Sequence, residues 1–412
     1  MQPALTIAPP DWLKDTSLQA VMDALGAGDA LIVGGAVRAA ILGETLGDID
    51  IATLHLPNEV INRLAAAGIK TIPTGFDHGT VTAVAGGKSY EITTLRRDVE
   101  TYGRRAVVAF TTDWAEDAQR RDFTMNTLLM DLQGRIYDPT GHGVDDLKAG
   151  RVRFVGKPAT RIAEDILRIL RFFRFHARYG QGAPDADGLA ACIAAAPLMA
   201  NLSRERITHE IERLLLAPHA GAAIRVMIDG QIMPGFFQLG FDENVYATLQ
   251  AFVLSHGDTV NKNTLFAYSV WENNVDNLDK KINKYLVLSN VKKLFLNSCI
   301  KYVYEHTDSI CKNIYLYGQD IALSGGILFN SINKIEADVH VFEILAARAR
   351  TTSVPVFPVK AQDVMDTIGV GPGVALGMIL KKVESWWLAN DTTPDSAACL
   401  AYAKSLKTDF IM

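Results

Sequence analysis

The stretch whose reading decides the fold runs from Leu31 to Thr53, LIVGGAVRAAILGETLGDIDIAT. A short apolar run ends in Gly34-Gly35, a helical segment follows, and Asp48 and Asp50 stand one residue apart beyond it. On a strand, residues i and i+2 face the same side. Both carboxylates then converge on one hard cation, as a two-metal phosphoryl or nucleotidyl transfer site requires. The glycines let the backbone approach a triphosphate and offer it amide donors. Metal carboxylates and a phosphate cradle this close together predict an enzyme that handles a nucleoside triphosphate.

The bulk of the chain bounds what surrounds that stretch. At 412 residues it is too long for one ordinary core and predicts at least two domains. No apolar run is long enough to span a bilayer, so no membrane partner is expected. The N-terminal MQPALTIAPPDWLKD lacks the basic start and apolar core of a signal peptide, and the first arginine is Arg38, which argues against a mitochondrial presequence. Cys192, Cys299, Cys311 and Cys399 are scattered, with neither metal-ligand spacing nor a disulfide framework, which predicts a cytoplasmic, reducing location. A net charge of -5 excludes a wholesale nucleic-acid coat but not a local basic groove. Arginine is clustered at Arg96-Arg97, Arg104-Arg105 and Arg120-Arg121, and again at Arg161, Arg168, Arg171, Arg174 and Arg178.

Residues 30 to about 140 read as mixed α/β, with strands at Ala30–Val33, Ile49–Thr53, Thr80–Val84, Tyr90–Leu95 and Arg135–Tyr137 and helices at Ala36–Leu42, Asn58–Ala67 and Ala115–Asp131. Gly86-Gly87-Lys88 predicts a hairpin between the third and fourth strands. From Thr160 the spacing of Ile162, Ile166, Ile169, Leu170 and Phe173 is helical, and helix-period sequence continues to the C-terminus. A shift to Asn- and Lys-rich sequence near Thr259 reads as drift, with a lysine surface for nucleic acid as the functional alternative.

Three further groups carry chemistry. Glu91 lies mid-strand, where it is either a surface residue, a third metal ligand, or a base that helps deprotonate an attacking hydroxyl. Arg120-Arg121-Asp122-Phe-Thr-Met-Asn126 offers guanidinium for phosphate and carboxylate or amide for ribose and base edges, or else an ordinary capped helix start. Glu164, Asp165, Arg168 and Arg171 form either surface ion pairs or a fixed donor–acceptor edge for a nucleobase, with Arg174 and Arg178 continuing the stripe toward RNA phosphates.

Together with His78-Gly-Thr-Val-Thr82, Asp138-Pro-Thr-Gly141 and Leu202-Ser-Arg-Glu-Arg206, these segments occur in the order of the motifs of bacterial class II tRNA nucleotidyltransferases, the CCA-adding enzymes, and their poly(A) polymerase relatives. The chain resembles that family over residues 28–217. The resemblance implies an α+β architecture, a small mixed-sheet catalytic head at 1–140, an all-α neck at 141–217 that selects the nucleobase, and a helical body and tail at 218–412 that bind tRNA. It implies that Asp48 and Asp50 bind two Mg²⁺ ions with Glu91 as catalytic partner, and that Gly34, Gly35 and Arg38 hold the triphosphate of CTP or ATP. Arg121, Asp122 and Asn126 would then recognise ribose. Glu164, Asp165 and Arg168, with Arg171 beside them, would template the base. A flexible loop at Arg97, Tyr102, Gly103 and Arg104 would switch specificity from CTP to ATP.

The implied activity is template-independent addition of CCA to the tRNA 3′ end with release of pyrophosphate. A poly(A) polymerase or A-only enzyme of the same fold is the near alternative, and a non-catalytic RNA-binding homologue or a small-molecule nucleotidyltransferase the distant ones. Ala39 stands where the family usually has Asp, and Tyr102 where its loop usually has Asp. The sequence carries no signal for oligomeric state.

Overall fold

The computed structural model describes residues 1–102, 105–272, 275–333 and 338–406, with backbone alone at 98–102, 105–108 and 275–276. These form two compact units, Met1–Pro234 and Gly235–Met412.

The first unit is built on β1 (Leu5–Thr6), β2 (Ala30–Val33), β3 (Asp50–Thr53), β4 (Lys70–Gly75), β5 (Thr80–Ala85), β6 (Lys88–Thr94), β7 (Arg96–Tyr102), β8 (Arg105–Phe110), β9 (Leu129–Met130) and β10 (Arg135–Tyr137). Eight of them make one sheet in the order β1-β10-β9-β2-β3-β6-β5-β4, while β7 and β8 pair as a separate ribbon. Every pairing in the sheet is antiparallel except β3 with β6, so the head is a mixed sheet as expected. That parallel pair needs a crossover, which the chain supplies through residues 54–87. Its register sets Asp50 beside Glu91, and the register of β2 on β3 sets Val33 beside Asp50. The glycine pair after β2 and the acids of β3 and β6 therefore meet at one end of the sheet.

Helices of this unit are α1 (Thr16–Leu25), α2 (Gly35–Leu42), α3 (Pro57–Ala66), α4 (Trp114–Gln119), α5 (Gly143–Lys148), α6 (Pro158–Glu164), α7 (Arg168–Tyr179), α8 (Ala186–Ala195), α9 (Arg204–Leu215) and α10 (Ala220–Asp229). A buried aromatic platform fastens α7 beneath the segment after α4. Phe123 lies 4.9 Å from Phe154 and 5.1 Å from Phe175 between ring centroids, and Phe154 stacks on Phe172 at 5.5 Å. Such rings bury large apolar areas and gain about 0.5–1.5 kcal/mol per pair beyond that.

Three expectations about local structure change. The helix expected over Ala115–Asp131 ends at Gln119, and a short 3-10 turn (Thr124–Asn126) and β9 follow. Polar side chains there compete for the backbone: Asp122 Oδ1 accepts from Phe123 N–H at 2.9 Å and Thr124 Oγ1 donates to Asp146 at 2.8 Å. The helix expected to continue from Thr160 is broken between α6 and α7. Asp165, where α6 ends, turns extended (φ -149°, ψ 106°), and its Oδ1 accepts the Leu167 N–H at 3.1 Å, which fixes the turn into α7. The segment expected as a loop after Arg96 pairs as the ribbon β7–β8, in keeping with its Val99, Thr101 and Val107-Val108.

The described residues of the second unit form ten helices, from Glu243–Ser255 to Ser396–Ser405, and no strand. Part of the Asn-rich sequence is core. Asn313 is buried, donating to the Tyr302 hydroxyl at 3.0 Å and the Thr307 carbonyl at 2.8 Å. Gly325 lets the helix Gln319–Asn333 press on Tyr302, whose Cγ would lie 2.5 Å from any Cβ placed there. Among the described residues no helix is long and apolar enough to cross a membrane.

Candidate active site

The site begins where β2 stops. Gly34 takes φ 70°, ψ -126°, a conformation open to glycine. A Cβ there would also stand 3.5 Å from Asp50 Oδ2. The chain then enters α2 at Gly35, with its first amides beside the acids of β3 and β6. Asp48 is exposed and precedes β3, whereas Asp50 is half-buried as its first residue. Burial, with the charges of Glu91 and Asp48 close by, pushes the Asp50 carboxyl above its usual range against the pull of Arg121 and Arg38. That crowding of negative charge is what a cation would relieve.

Arg38 is buried and folds back into the protein. It donates to Asn126 Oδ1 at 2.5 Å and lies over the rings of Phe175 and Tyr179, each 5.3 Å from its guanidinium carbon. Asn126 in turn donates to Asp122 Oδ1 at 2.7 Å, and Asp122 Oδ2 accepts from Arg171 at 2.7 and 2.5 Å. Glu210 of α9 then bridges Arg171 at 3.8 Å and Arg174 at 2.5 Å. A continuous polar chain thus runs from α2 through the turn at 122–126 to α7 and α9. Burial would raise the Asp122 carboxyl, but Arg171 and the Asn126 bond outweigh it and hold it below its ordinary range. Arg171 is likewise disfavoured by burial yet ends raised by Asp122 and Glu210. In Arg174 burial wins, and its affinity for the proton falls.

On the opposite side, Asp165 accepts from Arg206 at 2.6 Å, while Arg168 donates to Glu164 at 2.6 Å, to the Arg161 carbonyl at 2.8 Å and to the Arg120 carbonyl at 3.0 Å. Both groups are thereby fixed in direction. They share with the carboxylates one open cleft of about 830 Å³. Its lining includes Gly34, Gly35, Arg38, Asp48, Asp50, Glu91, Arg121, Asp122, Asn126, Asp165, Arg168, Arg171 and Arg174.

Three described residues of the expected set, Glu164, Arg178 and Arg97, lie outside that lining. Glu164 stands behind Arg168 and also pairs with Arg161. Arg178 pairs with Glu44 at 2.6 Å and covers Tyr179. Arg97 is exposed, 3.9 Å from Glu116. The Tyr102 side chain, Gly103 and Arg104 lie outside the described residues. The lining also holds residues to which the sequence assigned no role: Thr80, Thr93, Asp117, Phe175 and Arg213. Asp117 had a signal, because it stands at helical spacing from Arg120 and Arg121.

Among the described residues no group of three or more His, Cys, Asp or Glu has the arrangement of a metal cage. Mg²⁺ does not require one, since one or two carboxylates with substrate phosphates and water complete its shell. The crowded, all-oxygen pair Asp48 and Asp50 fits that ion.

Comparison with known proteins agrees with this architecture. Residues 30–153 match the family described as poly A polymerase head domain, and residues 184–240 the probable RNA and SrmB-binding site of polymerase A. The head is thus that of a poly(A) polymerase-type nucleotidyltransferase. The chain is 34% identical over 86% of its length to CCA tRNA nucleotidyltransferase 1, mitochondrial, of Danio rerio, covering 82% of that protein. It is 33% identical over 90% of its length to the Homo sapiens protein of the same name, covering 86% of it. The chain belongs to the CCA tRNA nucleotidyltransferase family. The solved Bacillus stearothermophilus CCA-adding enzyme in complex with CTP superposes with a TM-score of 0.75 at 26% identity, covering 95% of this chain and 97% of that one. The Thermotoga maritima CCA-adding enzyme complexed with tRNA shares the fold at a TM-score of 0.67 and 18% identity, over 98% of this chain and 99% of that one.

Proposed function

We propose that this chain adds CCA to the 3′ end of tRNA, using CTP twice and ATP once and releasing pyrophosphate at each step. The observation that carries the reading is the single cleft in which Asp48, Asp50 and Glu91 face Asp165 and Arg168. A small-molecule nucleotidyltransferase needs the acids alone, whereas a polymerase without a nucleic-acid template must also read the base from its own side chains.

In this scheme the amides of Gly34 and Gly35 receive the triphosphate at the start of α2. Arg121 meets the phosphate and ribose from the cleft wall. Asp122 and Asn126 hold Arg171 and Arg38 in place while bordering the ribose. Asp165 accepts from, and Arg168 donates to, the edge of cytosine or adenine, with Glu164 fixing the Arg168 fork. Asp48 and Asp50 would hold two Mg²⁺ ions, which would supply acidification of the attacking 3′ hydroxyl and neutralisation of charge on the leaving pyrophosphate. Glu91, the neighbour of Asp50 in register, takes part in deprotonating that hydroxyl. The head at 1–140 performs the chemistry, the neck at 141–217 selects the base, and the helices of 218–412 grip tRNA, with the stretch Arg97–Arg105 assisting the change from CTP to ATP. The four cysteines are free and three are buried, and we place the protein in a reducing compartment, the cytoplasm.

The test supplies purified protein with tRNA lacking CCA, CA or A, and with CTP and ATP singly and together. Completion to a single CCA end, requiring Mg²⁺, is the expected result. Long A runs from ATP alone, or no incorporation, refute the reading.

A further inference from the structure

We infer that Asp117 is a positioning residue of the transfer site: its one buried carboxylate locks Arg121, Arg120 and the root of the β7–β8 ribbon into a single register, so that the carboxylate side of the cleft and the base-reading side are set together. The inference rests on the proposed nucleotidyl transfer.

Asp117 sits in α4, its side chain only 3% exposed. Oδ1 accepts from Arg120 Nε at 2.8 Å and Nη2 at 2.7 Å, and from the backbone N–H of Arg96 at 3.2 Å. Oδ2 accepts from Arg121 Nε at 3.1 Å and Nη2 at 3.0 Å. Both oxygens are spent on protein donors. This carboxylate is therefore neither a free base nor a metal ligand, and its influence on the reaction passes through what it holds.

What it holds reaches both sides. Arg121 also donates to the Asn126 carbonyl at 3.0 Å, and its charge acts on Asp50. Arg120 Nε reaches the Arg96 carbonyl at 3.2 Å, so both backbone polar groups of the first β7 residue are fixed from α4. The carbonyl of Arg120 receives Arg168 at 3.0 Å. Displacing Asp117 thus loosens a cation that acts on Asp50, the entry to the ribbon, and a support of Arg168. Burial opposes its charge, but Arg121 and Arg120 overcome this and keep it ionised below the usual carboxylate range. Two guanidiniums on one carboxylate leave net positive charge toward the cleft, where a triphosphate brings the opposite sign.

Asp117→Asn keeps the size, retains one acceptor oxygen and turns an NH₂ toward a guanidinium. The full-length variant is compared with wild type for single-nucleotide addition of CTP against UTP and of ATP against GTP, alongside a thermal melt. We expect kcat to fall on the order of 10²-fold, as for a misplaced reacting group, with the KM for tRNA unchanged. We expect the correct-to-wrong nucleotide ratio to fall about tenfold, and Asp117→Glu to restore part of it. A merely structural role lowers the folded fraction and scales all four nucleotides alike. An unchanged ratio in an active protein overturns the inference. If Asp117→Asn is unfolded at the assay temperature, Arg120→Gln, which leaves Asp117 paired with Arg121, must lower the same ratio or the inference fails. Wild-type protein that adds no nucleotide to any tRNA refutes instead the function on which the inference rests.

Discussion

Removing Asp122 should cost more stability than removing any exposed acid of this chain. Its carboxylate is 8% exposed and holds Arg171, the Asn126 amide and the Phe123 N–H. Deleting one partner of a buried ion pair leaves the other charge uncompensated, at about 3–5 kcal/mol. Arg171 keeps Glu210 at 3.8 Å and is 31% exposed, which places Asp122→Ala at the low end, roughly 3 kcal/mol. For a cooperative unit of this size that is about 6–12 °C in Tm, at roughly 2–4 °C per kcal/mol. Calorimetry on the full chain reads the shift, and the same protein without tRNA or nucleotide isolates it from binding. Asp122→Ala with Arg171→Met removes both charges, and should regain at least half of the lost melting temperature because no orphan remains. A single variant that melts within about 2 °C of wild type, roughly the shift expected from 1 kcal/mol or less, would refute the view that this pair fastens α7 to the head. So would a double variant that melts lower still.

The other expectations concern charge and backbone. Asp117 and Asp122 both have carboxyl pKa values held below the unfolded range, so their contribution is complete above roughly pH 4 and disappears as pH falls through the folded values. Acid melts should therefore show a shallower loss in Asp122→Ala than in wild type, and parallel curves would contradict this. Asp50→Asn should raise the melting temperature of Mg²⁺-free protein by relieving burial and repulsion from Glu91 and Asp48, while ending incorporation; a lower melting temperature would contradict the electrostatic account. Gly34→Ala forces a side chain into φ 70°, ψ -126° and should destabilise by about 1–3 kcal/mol. It should also weaken binding of a non-reacting CTP analogue measured by calorimetry, and wild-type affinity would mean the loop does not shape the triphosphate site.

Much of the head was legible because its strands carry local signals. Ala30–Val33 and Arg135–Tyr137 stand where periodicity and turn residues place them. Placing Asp50 beside Glu91 was not legible from spacing, since that neighbourhood comes from a parallel pairing across 41 positions. Local side-chain competition hid the break before α7: Asp165 reads as a helix residue in a window of apolar repeats, yet it turns extended and its carboxylate takes the Leu167 N–H. The same holds for Asp122, whose bonds to Phe123 and Arg171 end the helical run that the sequence suggests. In the second unit the helical period was readable. Its packing was not, because contacts such as Gly325 on Tyr302 join positions with no common local pattern.

The alanine at position 39 bears on how the proposed phosphate loop keeps its shape. Ala39 is 7% exposed in α2, and its carbonyl accepts from Glu44 N–H at 2.9 Å and from Gly43 where the helix ends. Nothing in that role uses a side chain. A carboxylate in so enclosed a position would need a partner of its own. The backbone turn above it is set by Gly34, and its neighbour Arg38 is already anchored by Asn126 and held over Phe175 and Tyr179. The determinants of the cradle therefore lie on either side of position 39 and across the cleft, in residues that this chain retains. It follows that the first motif is maintained by tertiary contacts from the 122–126 turn and from α7, and that losses there should reach the proposed triphosphate site more strongly than a change at position 39 itself.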